Sequence, residues 1–154
     1  MYQVNLVEGP ERTLLGLSHR GPYPEIGPVF AAMFDAVGRA GLLPRIEAMI
    51  GVYFDDPGRV APADLRAFAG VQMPAGVICP ADLEAVTLAA GPHAMLRLQG
   101  PYSGLPEAWA YLYGDGMKAT GRTPSDAPSF EVYVNDPTDT PPGDLLTELW
   151  APLA

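Results

Sequence analysis

Val52-Tyr53-Phe54-Asp55-Asp56-Pro57 returns 80 residues later as Val132-Tyr133-Val134-Asn135-Asp136-Pro137. Two flanking matches keep step with it. Gly21-Pro22-Tyr23 returns as Gly100-Pro101-Tyr102 at an offset of 79, and Pro62-Ala63-Asp64-Leu65 as Pro142-Gly143-Asp144-Leu145 at an offset of 80. Three matches in one order at a nearly constant offset indicate a supersecondary module duplicated once, not a short-period solenoid. The chain of 154 residues then reads as one domain, 1–154, with pseudo-repeats near 1–75 and 80–154.

Each copy runs through the same elements. An apolar stretch (Leu14 to Leu17; His93 to Gln99) enters the Gly-Pro-Tyr turn, and a helix follows. Ile26, Phe30, Met33 and Val37 form one apolar stripe in the first copy; Leu105, Ala108, Trp109, Leu112 and Tyr113 form it in the second. Gly41 and Gly121 stop these helices. A strand then alternates Ile50, Val52, Phe54 with Gly51, Tyr53, Asp55, and its counterpart alternates Phe130, Val132, Val134 with Glu131, Tyr133, Asn135. Last strands span Leu65 to Met73 and Leu145 to Ala151, and short strands near Val4 and Ala85 to Leu88 open the copies. The expected class is α+β: a tandem strand–helix–strand–strand module, two antiparallel sheets each backed by a helix, and a ligand cleft between the halves.

Composition removes several functions. Net charge is −9, and the nine basic residues are scattered, so the clustered positive charge that phosphate backbones and anionic membranes require is missing. No direct nucleic-acid or membrane partner is expected. Cys79 is the lone cysteine, which excludes an intramolecular disulfide and a thiolate metal cage. Glu8, Glu11 and Arg12 stand where a signal peptide needs apolar residues, and a cytoplasmic location is expected. His19 and His93 lack metal-ligand spacing, Gly-x-Ser-x-Gly and Gly-Lys-Ser/Thr do not occur, and neither a metal nor a cofactor is expected.

What remains is one acid among rings. If the apolar face of each central strand packs on its helix, the opposite face carries Tyr53 in one copy and Glu131 with Tyr133 in the other. Glu131 takes the position of Gly51, a carboxylate where the other copy has no side chain. Phe68 and Trp150 on the last strands complete the lining. Trp109 joins the candidates from the helix, where its place in the apolar stripe also reads as core. The candidate ligand-binding set is Glu131, Tyr53, Tyr133, Phe68, Trp109 and Trp150. A carboxylate among aromatic faces suits a flat, hydrophobic, cationic molecule. The plainer readings are a solvated Glu131 and cross-strand tyrosine pairs.

The Gly-Pro-Tyr turns at Gly21 and Gly100, Asp56-Pro57 with Leu65-Arg66, Trp109 with Leu112-Tyr113, Phe130-Glu131-Val132-Tyr133 before Asp136-Pro137, and the ending Thr147 to Leu153 together resemble the GyrI-like small-molecule-binding domain. That domain is also the effector-binding half of AraC-type and MerR-type multidrug regulators. The resemblance implies that Glu131 is the acid aimed at cationic, lipophilic ligands. Ala67-Phe68 stands where the family often has an aromatic followed by Asp, and Trp150 where Tyr is usual. A stand-alone form is expected, with three roles open. The first is sensing or sequestering a small molecule. The second is contact with a protein partner, gyrase or a regulator. The third is hydrolysis of cyclopropane-bearing genotoxic metabolites, with Glu131 activating water and Tyr133 or Tyr53 donating to the ring carbonyl.

Overall fold

A computed structural model describes residues 2–154. The chain is α+β with antiparallel strands. It divides into two packed units: Glu11–Ala89, and Ala90–Ala154 joined by the N-terminal segment up to Pro10.

The 11–89 unit contains β2 (Arg12–Arg20), α1 (Gly27–Arg39), β3 (Ala48–Tyr53), β4 (Arg66–Gln72) and β5 (Glu84–Leu88), after β1 (Val4–Gly9) has passed by. Its strands lie in the order β3-β4-β2-β5, every pairing antiparallel. The stripe expected on α1 is the face that packs: Met33, Ala36 and Val37 are buried against Leu15, Val71 and Met73, with Phe30 and Phe34 at the margin. Ile26 closes the helix start over Ala67 and Ala69, beside Tyr23 and Tyr53.

The 90–154 unit contains β6 (Gly91–Gln99), α2 (Leu105–Tyr111), α3 (Met117–Thr120), β7 (Ser129–Tyr133) and β8 (Leu146–Pro152), with β1 along β6. Its strand order is β1-β6-β8-β7, again antiparallel throughout. Ala94, Leu96, Leu98, Leu149 and Ala151 meet Ala108, Leu112 and Met117 of the helices. The single helix expected here is broken. A wide turn over Leu112–Gly116, with Gly114 off helical geometry, separates α2 from α3.

The opening strands depart from expectation. The repeats were expected to begin with the strands near Val4 and Ala85, so that each copy keeps its own. Hydrogen bonding instead gives Val4–Gly9 to β6 and Glu84–Leu88 to β2. Each unit therefore closes one edge with the opening strand of the other copy. The pairing rests on apolar residues at matched register: Val4 faces Leu96, and Val86 faces Leu14.

Elsewhere the two units share backbone devices. Gly21 and Gly100 have φ of 131° and 138°, a region that side chains avoid, and each donates its N–H to the carbonyl ending the long loop, Leu65 or Leu145, at 2.8 Å. Asp56 and Asp136 each accept the N–H two residues on, from Gly58 and Thr138, at 2.8 Å. That is the Asx-turn chemistry that Asp-Pro announces. No helix among the described residues is long and apolar enough to cross a membrane.

Two consequences can be measured. A Cβ on Gly16 would lie 2.0 Å from the Ala69 carbonyl oxygen on β4, a backbone clash with no side chain to yield. Gly16→Ala is expected to cost about 2–3 kcal/mol in urea unfolding. Asp55 is held below the usual carboxylate range, chiefly by its side-chain hydrogen bonds with Arg66 at 2.9 and 3.0 Å. Because its folded value is depressed, its contribution is complete above the ordinary carboxylate value and disappears as pH falls through the folded value. As pH falls below the ordinary carboxylate value of about 4, Asp55→Asn should flatten the acid-side loss of stability relative to wild type.

Candidate functional site

β7 carries the acid, and its register decides which way the acid points. Glu131 lies opposite Leu149, and Tyr133 opposite Thr147. Leu149 belongs to the layer beneath α2, so Glu131 and Tyr133 face the helix. The expectation had them on the opposite face, and this is corrected. Phe130 and Val132 occupy that other face, paired with Trp150 and Glu148. The alternation is real, but it does not identify the helix side, because both faces are buried: Val132 is 7% exposed and Glu131 only 4%.

The helix meets the acid with a donor. Trp109 Nε1–H donates to Glu131 Oε2 at 2.6 Å, and Tyr133 Oη–H donates to Glu131 Oε1 at 2.6 Å. Both carboxylate oxygens are thus held by the polar ends of aromatic rings, as a buried anion requires. Tyr113, one helical turn after Trp109, lies nearly parallel to the indole, with centroids 5.8 Å apart and 19° between planes. Tyr102, from the turn that starts α2, meets Tyr133 edge-on at 5.7 Å. The Tyr102 phenol is pushed above its ordinary value, first by burial and then by the negative charges of Asp136 and Glu131.

The remaining candidates lie elsewhere. Trp150 is on the face away from Glu131, stacked on Phe130 at 5.7 Å and 9°, with the His93 ring edge-on to both. Its indole N–H points to Glu148 at 3.3 Å. Trp150 therefore joins a buried aromatic cluster rather than the Glu131 group. Tyr53 and Phe68 belong to the 11–89 unit and fall on opposite faces of it: Tyr53 packs with Tyr23, Ala67 and Ala69 on the α1 side, and Phe68 sits opposite Val52 on the other. The structure brings together Glu131, Tyr133 and Trp109, and adds Tyr102 and Tyr113. In the sequence, Tyr102 reads only as part of a turn and Tyr113 only as helix stripe. The repeated Gly-Pro-Tyr was the signal for the first. Among the described residues, no three His, Cys, Asp or Glu side chains gather as a metal site would need.

The model of the GyrI-like small molecule binding domain matches residues 2–154. This chain belongs to the GyrI-like family. A DNA gyrase inhibitor of Edwardsiella ictaluri (strain 93-146) is 31% identical over 157 aligned residues, covering 98% of this chain and 97% of the relative. Among solved structures, the EcmrR C-terminal domain superposes with a TM-score of 0.79 at 15% identity, covering 100% of this chain and 98% of that one. SAV2435 bound to tetraphenylphosphonium gives 0.70 at 17% identity, covering 100% and 94%. At such identities the structures establish a shared fold. The GyrI-like chain is accordingly a small-molecule-binding domain by family.

The Trp109–Glu131 hydrogen bond should be measurable as a coupling. In a double-mutant cycle of Trp109→Phe and Glu131→Gln, denaturant unfolding is expected to give an interaction energy of about 1–2 kcal/mol. Additive effects would mean that the indole and carboxylate do not share a bond in solution.

Proposed function

We propose that this GyrI-like domain binds a hydrophobic, planar, cationic small molecule at Glu131, in a sensing or sequestering role. The observation that carries the reading is the carboxylate itself: 4% exposed, with one oxygen held by the Trp109 indole and the other by the Tyr133 phenol. Charge and ring faces favour the same ligand, because a cation is attracted by the anion and by the negative faces of the surrounding π-systems together. A flat ligand gains further from stacking on rings such as Trp109 and Tyr113. SAV2435, which shares the fold, was solved with tetraphenylphosphonium, a lipophilic cation, and this supports the same class here.

The two units are read as copies of one module within a single domain over 1–154, the pseudo-repeats lying near 1–75 and 80–154. The matched Gly21 and Gly100 hydrogen bonds and the matched Asp56 and Asp136 turns support that reading.

Tetraphenylphosphonium should raise the melting temperature of the protein as its concentration passes the dissociation constant. Glu131→Gln is expected to weaken its binding about tenfold or more, because a charged partner is replaced by a neutral one of the same shape. Equal affinity in the two proteins would remove Glu131 from the site. If the wild type turned over an electrophilic cyclopropane-bearing compound and the same substitution abolished turnover, Glu131 would be a base and the protein a hydrolase.

A second reading is favoured by the relatives of nearly equal length that are named DNA gyrase inhibitors. A protein-contact role predicts inhibition of gyrase supercoiling that persists in Glu131→Gln.

A further inference from the structure

Two buried hydroxyls have no hydrogen-bond partner among the described residues: Tyr102 Oη and Thr147 Oγ1. Both adjoin Tyr133. The Tyr102 ring meets the Tyr133 ring edge-on at 5.7 Å, and Thr147 lies opposite Tyr133 in the β7–β8 register. Thr147 is completely buried, so no surface water can serve its hydroxyl. Folded proteins rarely leave such groups unsatisfied, and one beside a functional carboxylate calls for a reason.

The other unit shows what a satisfied version looks like. Tyr23, the repeat counterpart of Tyr102, has its hydroxyl 2.8 Å from the Asp55 carbonyl oxygen and 3.1 Å from that of Arg66, and it accepts the Asp55 N–H at 3.1 Å. The same tyrosine after the same Gly-Pro turn is therefore able to anchor itself on the end of the neighbouring strand. Tyr102 does not, although Asn135 and Leu146 supply the corresponding backbone. Tyr133 cannot act as the spare donor, because its proton is directed to Glu131.

We propose that Tyr102 and Thr147 form a hydrogen-bonding subsite beside Glu131 that receives an acceptor oxygen, such as a carbonyl, of the bound molecule. This rests on the ligand reading above and adds a second chemical feature to it: the cation carries a neutral acceptor at one edge. Both hydroxyls are donors at neutral pH, since burial and nearby negative charge keep the Tyr102 phenol protonated. A ligand that lacks the acceptor leaves both donors dry and forgoes their contribution.

The test uses a matched pair of cations, tetraphenylphosphonium and para-acetylphenyl-triphenylphosphonium, titrated calorimetrically into the full chain. The wild type should prefer the acetyl compound, and Tyr102→Phe and Thr147→Val should each lower that preference about fivefold. Without ligand, both variants should melt at or above the wild-type temperature, because each removes an unsatisfied hydroxyl at nearly constant shape. An unchanged preference overturns the proposal, as does a wild type indifferent to the acetyl group. A fall of several degrees in the ligand-free melting temperature also overturns it, since the hydroxyl would then be partnered in the free protein. Glu131→Gln separates this from the reading beneath it. It should weaken both cations while preserving the acetyl preference, and only failure of that weakening counts against the ligand reading itself.

Discussion

A carboxylate taken out of water must be met by donors, and the 90–154 unit is organised around that requirement at Glu131. β7 sets the acid in the layer beneath α2, where Leu149 is its cross-strand neighbour. The helix contributes the Trp109 N–H, and the strand itself contributes the Tyr133 hydroxyl two residues on. Replacing either donor by an apolar ring would leave a buried oxygen that has lost a partner. The turn before α2 and the break after it then act as supports: they fix where Tyr102 enters and where Tyr113 leaves the indole.

Much of the fold was legible because it depends on local chemistry that residues announce. Gly-Pro-Tyr, Asp-Pro and the 3.6-residue stripe of α1 each specify a turn or a face, and their repetition at a constant offset exposed the shared plan. The α2 stripe was harder to read, since Gly114 interrupts a pattern that looks continuous. Two features escaped for a different reason. The exchange of β1 and β5 is a long-range pairing choice, and nothing in six apolar-alternating residues names the partner. The direction of Glu131 was inverted because alternation separates two sets without saying which set meets the helix. Where Val132 and its neighbour Glu131 are both buried, burial on both faces of β7 erases the usual cue.

The candidate site was legible in kind more than in membership. Glu131, Tyr133 and Trp109 come together, whereas Trp150 faces away into a cluster with Phe130 and His93. The contrast between the two units shows how a duplicated scaffold diverges. In one, Asp55 and Arg66 clamp the strand ends and Tyr23 locks onto them. In the other, Asn135 and Leu146 stand at those positions, the ion pair is gone, and Asn135 is left to accept the Leu146 N–H. One copy carries its charges as an ion pair at the strand ends, and the other carries a buried carboxylate held by two aromatic donors beneath its helix.

The exchanged edge strands bear on how the polypeptide assembles on the ribosome. Val4 must wait for Leu96, and Gly9 for Gly91, before the first strand finds its partner. Glu11 through Ala89, by contrast, can close as soon as it has emerged, because all four of its strands lie within that stretch. The nascent chain would then carry a finished unit with a bare leading strand, until the later half arrives to take it up.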